Sequence, residues 1–272
     1  MTELSEFLKS NAVENLLPGS CLEEARGRFS VSHAEIERHT LQSSLLPARY
    51  QRHHKSITIE QQLILFNSRV TVVGCGGLGG YIVEQLARLG IGEIQIVDDD
   101  VFEDHNLNRQ LYASPQVLGK TKVGVAAKRI KEINPAVCVI PVTERFDQMN
   151  GCGLLAGSNV VADAVDSIVT RHQLAESCSQ LGIPMVHGAI AGWYGHICTI
   201  YPGDKSLEKI YPDHGNKVGI EQDLGNPAFT PAVIASFEVA EICKVLLGKS
   251  GQLRNRTLTI DLLDMEIEEF LL

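Results

Sequence analysis

Arg69-Val70-Thr71-Val72-Val73-Gly74-Cys75-Gly76-Gly77-Leu78-Gly79 is the stretch that decides the fold. Its first five residues read as a short apolar, β-branched strand. The glycines read as a tight turn, and residues 81–89 as a helix stopped by Gly90 and Gly92. A glycine turn between a strand and a helix is the context that a nucleotide loop requires. Gly74 makes the turn, Gly76 lets backbone approach a phosphate, and Gly79 lets helix and strand pack closely. The helix start then offers free N–H groups to an anion.

Outward from this unit the chain keeps alternating. Residues 93–97 read as a strand, 121–133 as a helix ended by Asn134-Pro135, and 137–142 and 159–163 as strands. A helix over 169–181 precedes strands at 184–187 and 196–201, a helix over 231–247 and a final strand at 256–263. Such alternation implies right-handed βαβ units and a mostly parallel sheet. Residues 202–227, rich in Gly, Asp, Lys and Pro, read as a long loop. Residues 1–48 are polar and helix-prone, and Ser32-His33-Ala34-Glu35 fits a capping box.

Composition narrows the class. The chain has 272 residues, 44% hydrophobic and 21% charged, which is enough apolar surface to order most of it. It carries 24 Lys+Arg against 33 Asp+Glu, and net −9 disfavours broad binding to nucleic acid or to an anionic membrane. No apolar run reaches the roughly 18 residues that span a bilayer. The first residues lack the basic and apolar regions of a secretory signal. Seven scattered cysteines with no C-x-x-C give the expectation of a reducing, cytoplasmic setting and no structural zinc.

The residues after the second strand sharpen the function. Asp98 lies about 20 residues past the loop, where a carboxylate accepts ribose hydroxyls. Asp98-Asp99-Asp100 gathers three carboxylates, and their repulsion implies a cation or a ligand. Asn106-Leu107-Asn108-Arg109-Gln110, Lys120 and Lys122 follow. Cations beside a phosphate loop suit charge developing on a phosphoryl group, and hydride transfer does not need them. Gly119-Lys120-Thr121 mimics the end of a Walker A loop, but no apolar strand leads into it.

Together, residues 69–79, 98–100 and 106–110 resemble the ThiF/MoeB/HesA family, the bacterial relatives of ubiquitin-activating enzymes, over about 49–263. With the alternation above, the resemblance implies an α/β fold. This is a Rossmann-like, doubly wound, mostly parallel sheet with an antiparallel C-terminal extension. A helical arm (residues 1–48) precedes an ATP-binding adenylyltransferase domain (49–272). It further implies a cytoplasmic enzyme that uses ATP and Mg²⁺ to adenylate the C-terminal glycine carboxylate of a small ubiquitin-like sulfur-carrier protein ending in Gly-Gly. The pathway is of the thiamine or molybdopterin/tungstopterin type, and the products are an acyl-adenylate and pyrophosphate.

Carried over, Gly74, Gly76, Gly77 and Gly79 form the phosphate loop, and Asp98 holds the ribose. Asp100 and Gln110 join the nucleotide site, and Asn106, Arg109 and Lys122 contact the phosphates. Asp166 is the Mg²⁺-linked aspartate. Arg49-Tyr50-Gln51-Arg52 resembles the element whose second arginine reaches a neighbouring subunit, so Arg52 would act in trans in a homodimer. A carboxylate nucleophile is already ionised at pH 7, so the reaction needs positioning and charge neutralisation rather than a base.

The chain departs from the pattern in three places. His53 stands where the family usually has Gln, the zinc-binding C-x-x-C pairs are missing, and residues 202–227 hold no cysteine. No zinc is therefore expected, and Cys178 and Cys198 read as buried small hydrophobes rather than nucleophiles. The alternative within the family is an ATP-dependent dehydratase acting on threonylcarbamoyladenosine in tRNA. An NAD-dependent oxidoreductase and a non-catalytic adaptor are the remaining readings.

Overall fold

The computed structural model describes residues 3–212 and 224–272. Strand β3 (Arg69–Val73) shows how the sheet is covered on both faces. Val70 and Val72 point into one apolar cluster and Val73 into another, as the two-residue period of a strand dictates. Before it come α1 (Glu3–Ser10), β1 (Leu16–Leu17), α2 (Gly19–Phe29), α3 (His33–Gln42), β2 (Leu46–Pro47) and α4 (Ile59–Phe66). After it come α5 (Gly77–Leu89), β4 (Glu93–Val97), α6 (Lys122–Ile133), β5 (Cys138–Val142), α7 (Gly151–Leu155) and β6 (Val160–Asp163). Then follow α8 (Ile168–Leu181), β7 (Met185–Ala191), β8 (Tyr194–Ile200), α9 (Ser206–Ile210), α10 (Phe229–Leu246), β9 (Arg256–Asp261) and β10 (Glu266–Leu271).

The large sheet has the order β10-β9-β8-β7-β6-β3-β4-β5. The five strands from β7 to β5 are parallel, and β8, β9 and β10 continue the sheet antiparallel. The core that contains Ile82, Leu86, Ile130 and Ile234 lies under α5, α6 and α10. The opposite core holds Leu155, Leu174 and Met185 under α7 and α8. The order in which strands are added reverses between β3 and β6, which pair parallel, and this opens a crevice at their carboxyl ends.

Helices α1–α3 gather their own cluster, with Leu8, Leu22 and Ile36 at its centre. Ser32 caps α3 reciprocally: the Glu35 N–H donates to Ser32 Oγ at 3.2 Å, and the Ser32 N–H donates to Glu35 Oε2 at 2.8 Å. Tyr50 is fully buried where this segment meets the sheet domain, and its hydroxyl donates to the buried Glu37.

Several expectations need correction. The helix after the glycine loop starts at Gly77 rather than at residue 81, because the loop runs straight into the first turn. The last strand ends at Asp261, and a turn leads into β10, which sequence reading did not anticipate; all six of its residues are exposed, so burial left no pattern. Residues 202–227 are not one loop, since α9 lies within them. Residues 213–223 of that stretch fall outside the described residues.

Candidate active site

The crevice is a cleft of about 800 Å³ running over the ends of β4, β3, β6, β7 and β8. Four strand spacings make it about 19 Å long. At one end stands the glycine loop. Gly74 has φ +93°, a region L side chains rarely adopt, and a Cβ there would sit 2.4 Å from Ala164 O. A Cβ on Gly79 would lie 1.9 Å from Gly74 O, so this glycine closes the loop against its helix and does not itself line the cleft. Gly76 and Gly77 do line it, at the start of α5.

The acidic strand end holds the loop from beneath. The Cys75 N–H donates to Asp98 Oδ2 at 2.6 Å, and the Asp100 N–H donates to Asp98 Oδ1 at 2.8 Å. Burial raises the Asp98 carboxyl above its ordinary range against the pull of Lys122 and these N–H groups. Carboxylate oxygens of Asp98, Asp99 and Asp100 all lie within 4.8 Å of one another. Lys122 Nζ donates to Asp100 Oδ2 at 2.8 Å. Lys122 is 6% exposed and lines the cleft, so its ammonium stands at a largely covered point of the wall.

Arg109, Gln110 and Asp166 also line the cleft. Arg109 Nη1 donates to His105 O at 2.8 Å and to Asn108 Oδ1 at 2.9 Å. Asn106, expected at the phosphates, is not among the residues lining the cleft. It is buried, and its side chain accepts the Glu103 N–H at 3.0 Å. Its carbonyl accepts the N–H groups of Arg109 and Gln110 at 3.2 and 3.0 Å, so it shapes the turn that presents them. Lys120 and the exposed Arg52 are not among the lining residues either.

The other end of the cleft was not anticipated. Arg171, Tyr194, His196 and Tyr211 line it, with Asp163 and His187 buried behind them. Arg171 Nε and His187 Nδ1 lie 3.1 and 2.8 Å from Asp163 Oδ2. Burial alone would raise the Asp163 carboxyl, but Arg171 and His187 outweigh it and hold it below its ordinary value. Burial, aided by His187 and Arg171, pushes His196 down to about 3. Asp163, a carboxylate closing an apolar strand three residues before Asp166, was a usable signal; the histidines, alternating within strands, gave none.

All seven cysteines are free. Burial pushes the Cys178 thiol up to about 12 and that of Cys198 higher than its ordinary value, as inert core thiols require. Among the described residues, no helix is long and apolar enough to cross a membrane.

The family model described as ThiF matches residues 50–272. A SAMP-activating enzyme E1 of Haloferax volcanii is 37% identical over 225 residues, covering 81% of this chain and 83% of that protein. A sulfur carrier protein adenylyltransferase of Thermus thermophilus is 31% identical, covering 78% and 83%. An adenylyltransferase and sulfurtransferase MOCS3-1 of Zea mays is 32% identical over 80% of this chain, which spans only 48% of that longer protein. Among solved structures, E. coli MccB with ATP superposes at TM-score 0.68 and 21% identity, covering 92% of this chain and 82% of that one. E. coli tRNA N6-threonylcarbamoyladenosine dehydratase with AMP superposes at TM-score 0.63 and 26% identity, covering 74% and 95%.

Proposed function

The chain belongs to the ThiF family and is an adenylyltransferase, and we propose that it uses ATP to adenylate the C-terminal carboxylate of a small ubiquitin-like sulfur-carrier protein ending in Gly-Gly. One observation carries this reading. The glycine loop, Asp98, Arg109, Lys122 and Asp166 converge on a single cleft at the strand-order reversal.

In this reading Gly76, Gly77 and the first turn of α5 receive the phosphates, and Asp98 faces the ribose. Lys122 and Arg109 meet the charge that develops at the α-phosphorus as the carboxylate oxygen attacks and pyrophosphate leaves. Asp166 would hold Mg²⁺, which neutralises phosphate charge when bound; a hard oxygen ligand at the cleft wall fits that ion. A second copy of the chain supplies Arg52 in a homodimer. In this reading the chemistry ends at the adenylate, which the absence of cysteine from residues 202–227 supports.

Pyrophosphate exchange into ATP, measured with a panel of Gly-Gly-ended carriers, tests the reading. Exchange that depends on one carrier supports it and identifies the partner. Clear ATP binding with no exchange for any carrier refutes it and turns attention to the tRNA dehydratase alternative.

A further inference from the structure

Two acceptors in the cleft wall lack donors. Gln110 is 7% exposed, and no N–H or O–H of the described residues reaches its buried Oε1. The same is true of Oδ1 of Asn226. Both residues line the cleft. They belong to one wall, because Asn108 Nδ2 donates to Asn226 O at 3.1 Å and so ties the turn that bears Gln110 to the segment that bears Asn226. The Gly192 N–H donates to Gly225 O at 2.7 Å, which fastens that segment to the turn between β7 and β8. Gln110 stands beside the glycine loop: a Cβ built on Gly76 would come within 3.5 Å of its Nε2.

A buried acceptor without a donor is costly, so its partner must come with a ligand or with water. A triphosphate at pH 7 brings acceptors only, and cannot satisfy an amide oxygen beside the phosphate loop. The ribose hydroxyls belong to the Asp98 end of the cleft. A peptide brings an N–H at every residue, and it must reach this point to place its carboxylate on the α-phosphate.

We infer that Gln110 and Asn226 accept hydrogen bonds from backbone N–H groups of the peptide that carries the reacting carboxylate. Their wall is then the seat of the acyl substrate, and Gln110 moves from the nucleotide to the peptide. The inference rests on the adenylation reading and adds which residues hold the second substrate.

The test uses the full chain and the carrier that supports pyrophosphate exchange. That carrier is prepared by peptide ligation with its last amide, or in a second preparation its penultimate amide, replaced by an ester. The ester keeps the length and removes the N–H. One of the two esters should lower kcat/KM with the parent enzyme by about tenfold. Asn226→Leu or Gln110→Met, whichever faces that amide, should lose about as much with the amide carrier and little more with the ester. The nucleotide dissociation constant, titrated without carrier, should stay within about twofold.

Ester carriers that react as fast as the amide carrier would overturn the inference. So would losses from ester and substitution that multiply, or substitutions that weaken ATP and leave the carrier's KM alone. The ester comparison on the parent enzyme decides even where a variant does not fold. A parent enzyme that binds ATP but exchanges pyrophosphate with no carrier refutes the adenylation reading itself, before any variant is made.

Discussion

Lys122 Nζ lies 2.8 Å from Asp100 Oδ2 and joins the first residue of α6 to the acidic end of β4. The lysine side chain is buried and the carboxylate is mostly in solvent. The pair therefore gains little stability from its Coulomb attraction, which water screens on the aspartate side. Its effect is positional, since it holds an ammonium at a fixed point of the cleft wall.

Lys122→Ala and Arg109→Ala should each cut pyrophosphate exchange by about 10²–10³-fold, the loss expected when one preorganised charge partner is removed. Both variants should stay folded by circular dichroism. Normal turnover by either would remove that residue from the assignment.

Arg52→Ala should be inactive alone. Mixed and re-equilibrated with the inactive Lys122→Ala protein, it should recover exchange, because a hybrid dimer holds one site with both groups intact. A mixture as dead as its parts would show that Arg52 serves its own subunit or none.

Gly79→Ala should lower the thermal midpoint, because a Cβ would stand 1.9 Å from Gly74 O and force the loop open. Overpacking of this kind costs about 1–3 kcal/mol. ATP affinity, read by titration on the folded fraction, should fall with it. A midpoint equal to the parent's would mean that the loop yields without strain.

His196 should make the fold acid-sensitive. Its pKa in the fold is about 3 against an ordinary 6.5, so below pH 6.5 the unfolded chain takes up a proton that the folded chain refuses. Stability is then lost as pH falls from 6.5 toward 3, by roughly 1 kcal/mol per pH unit for this group. His187, Arg171, Asp163 and Tyr211 surround it, so His196→Gln isolates its share. The variant should denature over a smaller pH span in acid, and an unchanged acid limb in urea titrations would refute this.

Glu238 works in the opposite direction. It is fully buried, no donor among the described residues reaches either carboxylate oxygen, and burial pushes its pKa well above the ordinary value, with Asp163 adding to the rise. The folded state keeps a proton that the unfolded chain releases above about pH 4.5, so stability from this group falls as pH rises. Glu238→Gln should therefore gain on the parent at pH 8 and show a narrowing advantage toward pH 5. Parallel stability curves for the two proteins would show that the carboxyl has found a partner.

The strand–glycine–helix unit at residues 69–89, the alternating elements around it and the cluster from Asp98 to Lys122 were legible because local rules govern them. β-branching, a two-residue period and glycine punctuation act over a few neighbours, and a family motif is a string. Tertiary structure alone decided what those residues meet. It buried Lys122 and gave it Asp100, and it turned Asn106 inward to shape the loop that presents Arg109. It also brought Arg171, His196 and Tyr211 from three separate parts of the chain to the far end of the same cleft. Burial and hydrogen-bond partnership depend on groups tens of residues apart meeting in space, and no spacing along the chain encodes that meeting.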